Sequence, residues 1–191
     1  ISPAPFYKRM NIIKFTVTWC SPCYSMDLVI HSSLNTHPDR IEYISPHGDL
    51  RDDMAVVPDC QELEIAFDVP GYPTCLFDLA DKASGGVSVT KINQAMTESM
   101  ARGAASGIKA SSTLSGRTAT VNIDFMSSID SDYNLVVMFM VDDVPGTQNG
   151  YEGTDTYYHH AVLRNIITPG VRGDFFEGVV AGQENSAEYT Y

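Results

Sequence analysis

The chain has 191 residues, of which 43% are hydrophobic and 19% are charged, and its formal net charge is -12. This composition supports one large domain or two of ordinary size, and it excludes wholesale disorder. An acidic surface repels phosphate backbones, so nucleic acid is not an expected partner, and no apolar run reaches the roughly 20 residues of a membrane helix.

The first half of the sequence alternates between strand and helix patterns. The β-branched run NIIKFTVT (11–18) predicts a first strand, and the apolar spacing after Pro22 predicts a helix. The stripe of this helix comprises Met26, Val29, Ile30 and Leu34. RIEYIS (40–45) and TCLFDL (74–79) then predict two more strands.

Two further helices complete this half. Asp59 and Glu62 have the spacing of an N-cap and its return partner, which predicts the start of the second helix. An apolar stripe predicts the third helix. It comprises Ile92, Ala95, Met96, Ser99 and Met100. The resulting order, βαβαββα, implies parallel strands joined by right-handed crossovers.

Beyond ARGAASG (101–107) the hydrophobic period changes to that of strands. TATVNIDF (118–125) alternates apolar and polar residues, as a half-buried antiparallel strand does. Further strand patterns follow at 133–143, 156–168 and 174–182. We therefore expect an α/β domain over residues 1–104 and an all-β, immunoglobulin-like sandwich over residues 105–191, truncated at its C-terminus.

Cys20 and Cys23 form a C-x-x-C pair that follows the first strand. The pattern places Cys20 at the N-terminus of the first helix and Cys23 within its first turn. Unpaired N–H groups and the helix dipole lower the pKa of a thiol there. We therefore interpret Cys20 as the catalytic nucleophile and Cys23 as the resolving thiol, with Trp19 packed beside them.

Two other interpretations of this pair remain open. A structural zinc site needs four ligands, and neither a second C-x-x-C nor the spacing of Cys60 and Cys75 supplies them, so no metal site is predicted. A fixed structural disulfide is the stronger alternative, because exported proteins keep such bonds. A redox-competent pair is favoured because the motif opens a helix within a βαβ pattern. Whether Cys60 and Cys75 are bridged also remains open.

The motif WCSPC and, after the second helix, the motif GYPT resemble the thioredoxin superfamily. The resemblance covers roughly residues 11–103. It implies a thioredoxin-like fold in which Pro73 lies beside the dithiol and the Tyr72–Pro73 bond is cis. It also implies that Trp19, Tyr72 and Pro73 bind a protein disulfide or dithiol substrate.

One position departs from this family pattern. Many thioredoxins carry a buried acid six residues before the first active-site cysteine, where this chain has Lys14. The usual proton acceptor for the resolving thiol is therefore absent. Glu42, on the neighbouring strand, is a weak candidate to replace it.

The segment QNGYEGTDTYYHHAVLR (148–164) carries a second resemblance. A thioredoxin-like half followed by a β domain with these motifs is similar to the Omp28-related outer membrane proteins of Bacteroidetes, and the loop SPHGDL (45–50) fits that family. The resemblance implies an exported protein of the periplasm or cell surface. The adjacent His159 and His160 point to opposite faces of a strand, which favours packing over metal binding.

Two functional hypotheses follow. The first is a cell-envelope thiol–disulfide oxidoreductase that needs no cofactor, because its cysteines carry the electrons. The second is a non-catalytic surface or periplasmic interaction module in which Cys20–Cys23 is a structural disulfide. The ends ISPAPFYKRM and SAEYTY suggest a piece of a longer protein. Any membrane attachment would then come from a segment absent from this chain.

Overall fold

The computed structural model describes residues 6–48 and 57–191, and residues 49–50 of the SPHGDL loop lie outside this range. The first seven elements are β1 Met10–Phe15, α1 Ser21–Thr36, β2 Ile41–Ile44, α2 Pro58–Ala66, β3 Thr74–Phe77, β4 Asp81–Ser84 and α3 Val89–Arg102. The next are β5 Ser106–Ser115, β6 Thr118–Ser127, β7 Ser131–Leu135, β8 Met138–Val141, β9 Val144–Gly146, β10 Tyr157–His159, β11 Val162–Ile166, β12 Asp174–Val179 and β13 Glu184–Thr190. The predicted order βαβαββα is confirmed.

The chain divides into two compact units. The α/β unit joins Arg9–Ala101 to Phe139–Asn165, whereas the β unit consists mainly of Arg102–Met138 and Ile166–Tyr191. This is a different division from the two consecutive domains expected to meet near residue 105. Strands β9 and β10, and most of β8 and β11, belong to the α/β unit.

The α/β unit is built on a four-stranded sheet with the order β2-β1-β3-β4. Strand β1 pairs with β2 in parallel, as the crossover through α1 requires. The expectation of parallel pairing is wrong for the rest of the sheet, because β3 is antiparallel to β1 and forms an antiparallel hairpin with β4. This mixed sheet with its three helices is the thioredoxin-like arrangement that the motifs implied.

The helices bury most residues of the predicted stripes. In α1, Met26 and Ile30 are buried, and the stripe predicted for α3 lies in the same core as Phe77. The capping box predicted for α2 is wrong. Helix α2 begins at Pro58 behind Val57, without a side-chain cap, because proline suits the first helical position.

The segment Phe139–Asn165 belongs to the α/β unit because β11 bonds to the chain that follows β2. The main-chain N–H of Ser45 donates to the carbonyl of Ala161 at 2.8 Å, and that of Leu163 donates to the carbonyl of Ser45 at 3.1 Å. Val162 and Leu163 are fully buried there. Between β8 and β11 the chain forms the antiparallel pair β9–β10, whose connection contains residues 147–156.

The β unit contains two small antiparallel sheets, β13-β6-β5 and β12-β7. The ring of Phe125 in β6 contacts that of Phe176 in β12, with centroids 4.9 Å apart. The predicted alternation along β6 is confirmed at Ile123 and Phe125, which are buried. These sheets agree with a β-sandwich.

Candidate redox site

The structure places the two candidate catalytic cysteines at the start of α1. Cys20 is the N-cap residue and Cys23 lies in the first turn, and the two form a disulfide with Cα atoms 5.3 Å apart. The N–H of Cys23 donates to the carbonyl of Cys20 at 3.1 Å, and Pro22 occupies the first turn. The predicted position of the pair is therefore confirmed.

The disulfide lies in a small apolar cluster with Val17 and Tyr72. Cys20 is 5% exposed and Cys23 is fully buried. Trp19 is 46% exposed, and its ring meets that of Tyr72 edge-on with centroids 6.0 Å apart. Trp19 and Tyr72 thus flank the dithiol, where residues that contact a substrate are expected.

Tyr72 is held in place by the loop before β3. The Tyr72–Pro73 bond is cis, and Pro73 is buried. The Tyr72 hydroxyl donates to the carboxylate of Glu64 at 2.6 Å, and the carbonyl of Pro73 accepts from the N–H of Gly85 at 2.9 Å. The tyrosine ring therefore packs against the disulfide from a fixed position.

Lys14 is buried and forms an ion pair with Asp27, one helical turn beyond Cys23. Two tyrosine hydroxyls also donate hydrogen bonds to the Asp27 carboxylate. Tyr43 donates to Oδ1 at 3.0 Å, and Tyr157 donates to Oδ2 at 3.1 Å. A buried acid therefore does lie one helical turn beyond Cys23, but on α1 rather than β1.

The environment of Asp27 keeps its carboxyl ionised at neutral pH. Burial by itself would raise the pKa of Asp27, but the charge of Lys14 and the hydrogen bonds from Lys14 and Tyr43 hold the pKa below its ordinary value. Glu42, suggested by sequence as a substitute acid, is instead exposed and pairs with Arg9 at the surface. Sequence reasoning missed Asp27, although an acid four residues after Cys23 falls on the buried helix face.

Gln148 and Asn149, on the connection between β9 and β10, bond to the main chain around the first cysteine. The Gln148 side-chain amide donates to the carbonyls of Thr18 at 3.2 Å and Cys20 at 2.9 Å. The main-chain N–H of Asn149 donates to the carbonyl of Thr18 at 2.7 Å, and its side-chain amide donates to that of Trp19 at 3.0 Å. Sequence reasoning noted this Gln-Asn segment but assigned it no role.

The other two cysteines, Cys60 and Cys75, are free thiols and fully buried, so the suggested bridge between them is absent. Burial raises the pKa of Cys60 to about 11 and that of Cys75 to about 12. Both thiols are therefore protonated and unreactive at neutral pH.

The adjacent histidines have different surroundings. His159 is buried against the rings of His47 and Tyr157, whereas His160 lies beside Asp143 at the surface. Within residues 6–48 and 57–191 no group of three or more His, Cys, Asp or Glu side chains could hold a metal ion.

Together the fold and this site define a thioredoxin-like module whose two C-x-x-C cysteines are joined in a disulfide. No protein-family model matches the sequence, and no curated protein matches it. Among solved structures, HBP35 of Porphyromonas gingivalis is similar with a TM-score of 0.78 and 18% identity, over 97% of this chain and 64% of that one. A protein of Agrobacterium tumefaciens is similar with a TM-score of 0.66 and 14% identity, over 97% of this chain and 80% of that one.

A third structure, the germline-specific thioredoxin Deadhead of Drosophila melanogaster, matches 48% of this chain and 81% of its own, with 19% identity and a TM-score of 0.35. This chain spans 64% of the HBP35 chain. At the identities found for HBP35 and the Agrobacterium protein, the similarity shows a shared fold alone.

Proposed function

We propose that the α/β unit is a thiol–disulfide exchange module of the cell envelope. The observation that carries this proposal is the Cys20–Cys23 disulfide at the N-terminus of α1, flanked by Trp19 and Tyr72. The N–H groups that begin the helix favour a thiolate at Cys20 once the bond is reduced.

In the reducing direction, the Cys20 thiolate attacks a substrate disulfide and forms a mixed disulfide, releasing one substrate sulfur as a thiolate. Cys23 then loses its proton and attacks the sulfur of Cys20. The second substrate thiolate leaves, the Cys20–Cys23 bond closes, and two electrons have passed to the substrate. Trp19, Tyr72 and Pro73 are the proposed substrate-binding residues, and a protein disulfide or dithiol is the proposed partner.

The test is reduction of a protein disulfide by the purified chain with a thiol reductant. The native protein and a Cys60→Ala control, which keeps both proposed catalytic cysteines, should accelerate the reaction. Cys20→Ser should not, because it lacks the attacking sulfur. Equal turnover by native protein and Cys20→Ser would refute the proposal.

Trapping experiments test the separate roles of the two sulfurs. Cys23→Ala should accumulate mixed disulfides with partner proteins, because the resolving thiol is absent, whereas Cys20→Ala should form none. Capture of equal amounts by both variants contradicts the assigned roles.

A non-catalytic module with a structural disulfide is the second candidate. The burial of Cys20 and Cys23 and the replacement of the family acid by Lys14 favour it. A redox titration separates the two candidates. A reduction potential below about −300 mV indicates a structural bond, whereas a higher potential indicates an exchangeable one.

We also propose that the chain is Omp28-related and exported, with an immunoglobulin-like β unit. Support comes from the α/β unit joined to a β-sheet unit, from the disulfide, and from the similarity to a Bacteroidetes structure. Among the described helices, none is long and apolar enough to cross a membrane. Fractionation of cells that produce the full-length protein, with protease added to whole cells, tests this placement. Recovery in the cytoplasm alone would overturn it.

A further inference from the structure

The residues that surround Cys20 in the sequence are held by another part of the α/β unit. Gln148 and Asn149, here named the clamp, bond to the three consecutive carbonyls of residues 18–20. Gln148 is 6% exposed, so its two bonds to this stretch are shielded from water. Four hydrogen bonds, donated by three nitrogen atoms of this dipeptide, therefore hold the main chain that carries the proposed nucleophile.

The chain on either side of the clamp lies along the start of α1. Gly150 has φ +90°, and a Cβ there would stand 2.7 Å from the Ser21 hydroxyl oxygen and 3.0 Å from the Ser21 carbonyl oxygen. Farther along, Tyr151 and Tyr157 contact the ring of Tyr24, with centroids 5.6 and 5.8 Å from it. The clamp is thus seated by close backbone approach and by aromatic contacts.

Attack on the disulfide by an external reductant requires access to the sulfur of Cys20, whose residue is only 5% exposed. Access to so buried an atom depends on local opening, and its frequency falls as the bonds that resist it increase in number. The clamp bonds join the stretch that must move to a separate hairpin connection. Breaking them should therefore favour the open form.

We propose that Gln148 and Asn149 are positioning residues of the dithiol, which hold residues 18–20 in place and set how readily an external reductant reaches Cys20. This inference rests on the proposed exchange function, because it concerns the reactivity of the same disulfide. It goes beyond that function because the Phe139–Asn165 segment, which lies far from the C-x-x-C motif in sequence, would control how readily the disulfide is reduced.

The experiment measures the rate at which a water-soluble phosphine reduces Cys20–Cys23 in the native full chain and in variants. The phosphine attacks the sulfur of Cys20, the S–S bond breaks, and Cys23 leaves as a thiolate that takes a proton. Water then releases the Cys20 thiol and converts the phosphine to its oxide, so that two electrons reach the protein.

Gln148→Ala should be reduced about tenfold faster than the native chain, because losing two ordinary hydrogen bonds shifts an opening equilibrium by about that factor. Asn149→Ala, which loses one side-chain bond, should give about a threefold increase. Gln94→Ala, an exposed glutamine bonded to Glu98 on α3 of the same unit, is the matched control and should leave the rate unchanged.

A near-isosteric variant separates positioning from a general loss of stability. In Gln148→Glu the protonated carboxyl can still donate to a carbonyl, whereas the ionised form is repelled by the same oxygens. The side-chain hydrogen bonds of Gln148 all go to main-chain carbonyls. The titratable ring of His159 bonds to the carbonyl of the preceding Thr147, but it is present in the native chain and the variant alike, so the ratio of their rates reports the introduced carboxyl. The ratio of variant to native rates should therefore rise with pH, and taking the ratio cancels the pH dependence of the reductant itself.

Urea unfolding of each variant shows whether it is folded under the assay conditions. The proposed role of the clamp is refuted if folded Gln148→Ala and Asn149→Ala are reduced by the phosphine at the same rate as Gln94→Ala. It is also refuted if the ratio of Gln148→Glu to native reduction rates does not change with pH. The phosphine readout does not depend on turnover of a protein disulfide. Failure of the clamp therefore leaves the exchange function standing, and absence of exchange activity does not alter the clamp result.

Discussion

Among single side chains, Asp27 is a buried acid whose carboxylate accepts hydrogen bonds from Lys14, Tyr43 and Tyr157. Its carboxylate is buried on α1 and paired with Lys14, so each charge compensates the other in a site away from water. Removing one partner of a buried pair is costly because it leaves the other charge without compensation. Exposed pairs such as Arg9–Glu42 contribute little, because water already solvates both partners.

We expect Asp27→Asn to lower the free energy of unfolding at pH 7 by about 3 to 5 kcal/mol. Glu42→Gln, the control on the exposed pair, should cost less than about 1 kcal/mol. Urea unfolding measures both. Similar losses for the two variants would contradict the importance assigned to the buried pair.

The same pair predicts how stability changes with pH. The pKa of Asp27 is lower in the folded chain than its ordinary value, so its stabilising effect is present above the pKa of the unfolded chain and is lost as pH falls through the folded pKa. The stability gap between native protein and Asp27→Asn should therefore be constant near neutral pH and narrow below about pH 4. A gap that widens on acidification would show that the sign is wrong.

Among secondary-structure elements, the start of α1 and the β9–β10 connection meet at Gly150. Two features exclude a side chain at this position, namely the left-handed backbone and the short distances to Ser21. Gly116, between β5 and β6, shares the first feature, with φ +63°, but has open space around it. The pair separates backbone strain from steric contact.

We expect Gly116→Ala to cost about 1 kcal/mol of unfolding free energy, from backbone strain alone. Gly150→Ala should cost more, because its Cβ would also displace Ser21 at the helix start. Thermal and urea unfolding of the two variants provide the comparison. Equal costs would mean that the approach to Ser21 is not tight in solution.

For the chain as a whole, the α/β unit is not contained in its first hundred residues. Val162 and Leu163 are buried beside the residues after β2, and Tyr157 donates to Asp27 in the core. A fragment of residues 9–104 would lose these contacts and expose the apolar surface that they cover.

We expect that fragment to unfold at a lower temperature than the full chain, or to lack a cooperative transition. Circular dichroism during heating would show this directly. A fragment with the same unfolding midpoint as the full chain would indicate that Phe139–Asn165 contributes nothing to the stability of the α/β unit.

Local patterns predicted much of the fold because strand and helix periods are properties of neighbouring residues. The stripe on α3, the alternation along β6 and the position of Cys20 at a helix start were all readable in this way. The α2 cap was predicted wrongly, since a proline at the first position outweighed the spacing of Asp59 and Glu62. Periodicity also identified strands in 133–168 without indicating which sheet they join.

The motifs WCSPC and GYPT were enough to indicate a dithiol at a helix start and a thioredoxin-like fold around it, because these features depend on short-range spacing. The surroundings of that dithiol came only from the folded molecule. The ion pair of Lys14 joins it to Asp27 on α1, and the donors to residues 18–20 come from a segment about 130 residues away. Contacts between distant segments depend on how the elements pack, and no local period in a single sequence encodes that packing.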